Sequence, residues 1–230
     1  MSIMYGLVGC IEHPQINYEQ VNYCHKAWAN QPTQMISYVS CYDDLCLADR
    51  VRMTLPKWAT CQEAIKLQKL ALTIVLTSQG IPFLFAGDEL MRNKKGVCNS
   101  YNSPDEINAI DWSLKAENLD LFKYYQGLIA MRKAHPAFHM GNADLVRAHV
   151  HFLPVEEGVV AYTLNGEAVG DDWKNIVVVL NGQTKATKVA LPEGEWYVAC
   201  ADGKCLVEDD KTIKDIASVA AQTAMVLYTK

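Results

Sequence analysis

The acidic residues of this chain fall in two places where carboxyl groups could do chemistry. Ser37 to Arg50 reads SYVSCYDDLCLADR, an apolar run that ends in adjacent acids, Asp43 and Asp44, followed by the acid–base pair Asp49–Arg50. The run IPFLFAGDE ends the same way, in Asp88 and Glu89. A strand that delivers carboxylates at its end can supply a nucleophile, a general acid or base, or a charge that stabilises a cationic transition state. Glycoside hydrolysis with retention needs two such groups about 5–5.5 Å apart. Asp43 and Asp44 do not make that pair: neighbours on an extended backbone point to opposite faces, so at most one of them faces a site. Turn or helix-capping contacts are the competing role for both, and spacing leaves the two readings open. Asp88 and Glu89 can equally anchor a loop.

These acids must be positioned by strands and helices. MISYVSC reads as a buried strand, with Ile36, Tyr38 and Val39 favouring extended structure. Thr60-Cys61-Gln62-Glu63 is a capping-box pattern that opens a helix, and Leu67, Leu70, Ala71, Ile74 and Val75 recur on one of its faces. Gly80 is placed to end that helix in a left-handed conformation, and Pro82 prevents its continuation. IPFLFAGDE is then a second buried strand. A loop rich in Asn, Ser, Gly and Pro runs to about Asp111. Leu121, Tyr125, Leu128, Ile129 and Arg132 trace another amphipathic helix, stopped by His135-Pro136. Buried strands separated by helices pair in parallel, and active sites in such folds lie at the carboxyl ends of the strands.

The period changes near residue 140. Short alternating runs follow, at HVHFLPV, GVVAYTLN, NIVVVLNG, TKVALPEG, EWYVACADGKCLVE and AMVLYT, punctuated by turns such as Asn181-Gly182 and Asp202-Gly203. They predict an antiparallel β-sandwich. Asp202-Gly203 fits the centre of a type I′ hairpin turn, which sets Cys200 directly opposite Cys205 with Cα atoms about 4.5 Å apart. That distance permits a disulfide, although free thiols are the expectation in a reducing compartment. The fold class is therefore α/β followed by all-β, divided into residues 1–139 and 140–230.

Composition narrows the partners. The chain has 230 residues, half of them hydrophobic and 20% charged, with a net charge of −5. Without a basic run, neither nucleic acid nor an anionic membrane surface is an expected partner. The richest apolar region, LALTIVLTSQGIPFLFAG, is broken by polar residues, Gly80 and Pro82, and does not read as a bilayer span. The N-terminus lacks the positive region of a signal peptide. Eight cysteines include no Cys-x-x-Cys pair, so neither a metal site nor a cofactor is expected, and reduced thiols suit the cytoplasm.

Residue identities go further than spacing. ISYVSCYDD resembles the fourth conserved segment of the α-amylase superfamily, and the similarity continues through LQKLALTIVLTSQGIPFLFAGDELMR. NSYNSPDEINAIDW then looks like the type I pullulanases within that superfamily. The likeness spans approximately residues 35–140. It implies that residues 1–139 are the C-terminal portion of a (β/α)8 barrel, holding its last two strands and their helices, with a β-sandwich following. It also implies that Asp43 is the transition-state stabiliser, the third catalytic carboxylate of the family. Tyr42 falls where the family has a sugar-binding histidine; its hydroxyl can still donate, from a longer ring. Asn99, Tyr101, Asn102 and Asp105 match the loop near the substrate cleft, although such residues dominate ordinary turns as well.

The family's nucleophile and acid/base precede this segment, so the chain is expected to hold one of three catalytic carboxylates and to be inactive by itself. The intact family member would hydrolyse α-1,6-glucosidic bonds in pullulan or branched starch fragments, with an α-glucan as its partner. Isoamylase-type and glycogen-debranching-type enzymes are the alternatives within the superfamily. A non-catalytic carbohydrate-binding protein using Trp173 and Trp196 is the alternative outside it; such residues are more often core anchors. Uncovered barrel-strand edges would invite self-association.

Overall fold

Thr60 starts the helix on which the first half of the fold is built. In the computed structural model, which describes residues 1–206 and 212–230, the Thr60 hydroxyl accepts the Glu63 N–H at 3.2 Å and the Glu63 carboxylate accepts the Thr60 N–H at 2.7 Å. This reciprocal cap satisfies two orphan donors and opens the helix Cys61–Thr77. Counting helices in chain order, it is α3, after α1 (Ser2–Leu7) and α2 (Leu47–Thr54). Two faces of α3 are buried. Ile65, Leu70, Leu72 and Leu76 enter the main core, while Ala64 packs with Leu47 and Val51 of α2.

Strands β1 (Ile36–Ser37) and β2 (Ile81–Pro82) flank this helix pair and lie parallel, Ile36 opposite Ile81. Both expected strands prove short, and they are only partly buried. Ile36 is 53% exposed, Tyr38 55%, Ile81 48% and Phe83 42%. The physical reason is the lack of neighbours: among the described residues the two strands pair only with each other, so no third strand extends the ladder. Gly80 also differs from expectation. The helix ends at Thr77 and Ser78 caps it in extended backbone, and Gly80 is not left-handed. A Cβ there would sit 2.7 Å from Ser37 Oγ and 2.9 Å from the Met35 carbonyl, so glycine is required for the close approach of β1.

After the short helices α4 (Asp105–Asn108) and α5 (Leu114–Glu117), α6 runs from Leu119 to Ala134. Leu121, Tyr125, Leu128 and Arg132 are buried as their spacing predicts, with Ile129 left at the surface. Arg132 finds no carboxylate. Its Nη1 donates to the carbonyls of Leu76 (2.9 Å), Ser78 (2.6 Å) and Phe138 (2.8 Å), and its Nη2 to that of Gly80 (2.8 Å). One guanidinium thus ties the end of α3, the entry to β2 and the segment after α6 together.

Helix α7 (Ala143–His149) leads into the sheet region. Its strands are β3 (Val150–Phe152), β4 (Val159–Asn165), β5 (Asn175–Asn181), β6 (Thr187–Ala190), β7 (Trp196–Ala201), β8 (Lys204–Cys205), β9 (Thr212–Ile213), β10 (Ile216–Val219) and β11 (Thr223–Thr229). Seven of them form one antiparallel sheet in the order β3-β4-β5-β11-β7-β8, with β9 also on β7; β6 and β10 form a separate two-stranded ribbon. Strand β5 reads NIVVVLN because both its faces are covered. Ile176, Val178 and Leu180 join the core of α3 and α6, while Val177 and Val179 pack with Val189, Ala217 and Val219 of the ribbon. The first core crosses residue 140 without a break, taking in Leu72, Leu128, Tyr162 and Val226 together.

The hairpin geometry follows the turn chemistry. Asp202 and Gly203 have φ of +50° and +73°, Ala201 pairs with Lys204, and Cys200 with Cys205. Their Cα atoms are 4.1 Å apart and the sulfurs are bonded, where free thiols were the expectation. The turn leaves the two cysteines facing each other with no room to part. The end of the run EWYVACADGKCLVE, Val207-Glu208, lies outside the described residues.

Asp88 fastens β1 to the helices. It opens a short 3-10 turn, Asp88–Leu90, and its carboxylate accepts from the Ser40 hydroxyl while its carbonyl accepts from the Gln68 amide. The other carboxylate oxygen, Oδ1, is buried without a partner among the described residues. Burial, opposed by the Ser40 hydrogen bond, raises its pKa from 3.8 to about 6.

Two tests follow from these anchors. Replacing Arg132 by methionine strands four carbonyls and is expected to lower unfolding free energy by about 3–5 kcal/mol in urea titrations; a loss within experimental error would show that the clamp is dispensable. For Asp88 the folded state holds its proton more tightly than the unfolded chain. The stability this contributes is full below pH 3.8 and is lost as pH rises through about 6. Asp88→Asn is therefore expected to remove a fall of roughly 3 kcal/mol across that window, read as the difference between wild-type and variant stability at each pH. Parallel pH profiles for the two proteins would contradict it.

Candidate active site

Beyond the carboxyl ends of β1 and β2 lie two segments that carry Tyr42 and Asp43, and Asn99, Tyr101 and Asn102 with Asp105 at the start of α4. Asp43 lies in the loop beyond β1, not on the strand itself, and it is exposed. Its backbone neighbour is not extended: Asp44 has φ +64°, the left-handed region. The expected alternation of two extended acids is therefore replaced by a bend, which separates their tasks. Asp44 is a local anchor, its carboxylate accepting the Leu45 N–H at 2.8 Å and the Arg50 Nη2 at 2.8 Å. The Leu45 N–H first, and Arg50 second, hold it below the usual carboxylate range. The Asp43 carboxylate makes no hydrogen bond among the described residues.

The second loop is bound to itself. Asn108 donates to the carbonyls of Ser100 (2.6 Å) and Ser103 (3.0 Å), and Arg92 donates to those of Ala86 (2.9 Å) and Asn108 (2.5 Å). Gly87, at φ +98°, leaves room for Arg92: a Cβ there would meet the arginine side chain at 2.6 Å. On this frame Asn99, Tyr101, Asn102 and Asp105 are all exposed. The two loops meet where the Tyr42 hydroxyl reaches the Tyr101 carbonyl at 3.5 Å. Hollows of about 280 and 540 Å³ lie along α3, and none of these six residues lines either one. The candidate site is an open ledge in this chain.

Lys94 was not singled out in the sequence, and Asp49 only as the partner of Arg50. Lys94 is fully buried under the first loop, its Nζ donating to the Tyr42 carbonyl at 2.9 Å. Asp49 does not pair with Arg50; its carboxylate accepts the backbone N–H groups of Lys94 (2.7 Å) and Gly96 (2.9 Å). No local pattern distinguishes Lys94 from the exposed Lys95 beside it. Among the described residues no group of three His, Cys, Asp or Glu side chains could hold a metal ion. The alternative aromatic platform is corrected by the packing. Trp196 is 2% exposed, and Trp173 is stacked between His135 (3.5 Å) and Tyr228 (4.2 Å), so neither ring offers a free face to a sugar.

Comparison with known proteins places this arrangement. Residues 146–204 match the family model for the pullulanase all-beta domain. The chain is 33% identical to the pullulanase of Bacillus subtilis over 198 residues, 86% of its own length and 27% of that protein. It is 29% identical to a Flavobacterium isoamylase over 159 residues. Its structure superposes on the type I pullulanase of Bacillus subtilis, solved with maltose, with a TM-score of 0.88 over 98% of this chain and 30% of that one. On the pullulanase of Paenibacillus barengoltzii, solved with maltohexaose and α-cyclodextrin, the TM-score is 0.84 at 37% identity, over 99% of this chain and 33% of that one. The chain spans about a third or less of the length of these relatives. Sequence and fold agree that it is pullulanase-like, homologous to one segment of those α-amylase-superfamily glycoside hydrolases.

Proposed function

We propose that this chain supplies the closing part of an α-glucan debranching glycosidase that hydrolyses α-1,6-glucosidic bonds with retention, Asp43 stabilising the transition state. The observation that carries this reading is the meeting of the Tyr42–Asp43 loop and the 99–105 loop at the carboxyl ends of two parallel strands. That end of a βα barrel is where substrates are bound and turned over. In this reading residues 1–139 are the barrel's last two strands with their helices, and residues 140–230 are the accompanying β-domain. The exposed face of Ile36, Tyr38, Ile81 and Phe83 supports it, because a barrel interior is packed with such side chains. The same uncovered edges favour self-association when nothing else covers them.

The chemistry divides accordingly. As the glycosidic bond breaks, positive charge develops on the sugar ring, and a carboxylate beside it stabilises that charge. Asp43, exposed and without a hydrogen-bond partner among the described residues, suits this task. Tyr42, Asn99, Tyr101, Asn102 and Asp105 offer hydroxyl, amide and carboxylate groups to sugar hydroxyls. Bond formation and proton transfer need two further carboxyl groups, which this reading places on the preceding strands of the barrel. The isoamylase relative keeps an isoamylase-type debranching enzyme as the alternative reading.

The test is a graft. Purified chain alone is expected to release no maltotriose from pullulan, followed as reducing ends against a boiled control. Substituted for the homologous segment of the Bacillus subtilis pullulanase, it is expected to give an active enzyme whose kcat falls about 10²–10³-fold with Asp43→Asn. Maltotriose release by the chain alone, abolished by Asp43→Asn, would mean a complete active site within it. A graft indifferent to Asp43→Asn would remove that residue from the reaction.

A further inference from the structure

Lys94 is a lysine in a place that disfavours one. Its side chain is fully buried, and taking an ammonium group out of water is costly unless its donors are used. A methionine would fill similar space without that cost. What lysine adds is one directed hydrogen bond, from Nζ to the Tyr42 carbonyl at 2.9 Å, with the Tyr42 ring centroid 5.7 Å away. That carbonyl belongs to the peptide unit leading into Asp43.

The lysine is itself held from behind. Asp49, in the first turn of α2, accepts the Lys94 N–H at 2.7 Å and the Gly96 N–H at 2.9 Å, so the turn that presents Lys94 is fixed to a helix. On the far side of Asp43, the left-handed Asp44 is locked by the Leu45 N–H and by Arg50. Asp43 therefore sits between two clamps while its own carboxylate stays open. One clamp is exposed and ionic, and exposed pairs of that kind contribute little. The other has a buried lysine as its donor and is partly shielded from water, which strengthens it.

We infer that Lys94 is a positioning residue for Asp43: through the Tyr42 carbonyl it fixes the backbone that aims the carboxylate. The inference rests on the role proposed for Asp43, but the clamp itself can be read without catalysis. In Lys94→Met, the backbone NMR order parameters of residues 41–45 are expected to fall below about 0.6, while those of α3 and β5 stay near about 0.85. Unchanged order parameters at 41–45 would overturn the inference, and so would a uniform fall across α3 and β5, which marks a core defect. Should that variant not fold, the unsubstituted chain decides. The Lys94 ammonium protons are expected to be shielded from water and to show NMR cross-peaks to the Tyr42 ring; fast exchange without cross-peaks would overturn it. In the graft, Lys94→Met is expected to lower kcat about a hundredfold with KM little changed. A rise in KM at constant kcat would assign Lys94 to substrate binding instead. A slack loop in a graft that ignores Asp43→Asn would separate the two claims, leaving the clamp standing and the catalytic role refuted.

Discussion

Four backbone carbonyls from three separate segments converge on the buried guanidinium of Arg132, and the geometry of the site depends on that convergence. The carbonyls of Leu76 and Ser78 belong to the end of α3, where a helix leaves its last acceptors unpaired. Gly80 leads into β2, and Phe138 begins the path to the sheet. An arginine suits this task because its donors lie in a fixed planar fork and its charge survives burial. Burial pulls its pKa down only to about 10, so the group remains cationic at neutral pH. The clamp fixes where β2 starts, and the Ile81 and Phe83 N–H groups, donating to the carbonyls of Met35 (2.7 Å) and Ser37 (2.9 Å), then set β1 beside it.

Beyond the strands the same device recurs at smaller scale. Buried or half-buried side chains bind main chain and leave the exposed side chains of the loops uncommitted. Asn108 and Arg92 brace the 99–105 loop, Asp49 braces the turn at Lys94, and Lys94 braces Tyr42. A loop held through its backbone keeps its shape without engaging its exposed side chains. This is the second layer of support that a preorganised site requires. It also explains why the exposed residues Asp43, Tyr101 and Asn102 can stand on well-defined backbone.

Much of this was legible where the determining interaction is local. The Thr60–Glu63 cap is written in four consecutive residues, and the Asp202-Gly203 turn sets the register of Cys200 on Cys205 by itself. The run at β5 was legible as a strand, but not that both its faces are covered, since a strand buried on both sides loses its period. Gly80 was recognisable as special, but for helix termination. Its actual constraint is the approach of Met35 and Ser37, distant in sequence. Arg132 was legible as a member of a helix and not as a clamp, since its four acceptors carry no side-chain signature. Lys94 was illegible for the same reason: its partner is a carbonyl, and Lys95 beside it is chemically identical. Tyr42, Asp43 and the 99–105 loop were found through residue identity, and the packing then supplied the contact between them.

The central claim is that Asp43 stands in a sugar-binding cleft once the apolar face of β1 and β2 is covered. A crystal structure of the grafted pullulanase with a bound maltooligosaccharide tests it most directly. The account predicts the Asp43 carboxylate at hydrogen-bonding distance, about 2.5–3.0 Å, from the sugar in the reacting position. It also predicts Ile36, Tyr38, Ile81 and Phe83 enclosed by the barrel. A sugar bound elsewhere, with Asp43 facing bulk solvent and that apolar face still open, would contradict it.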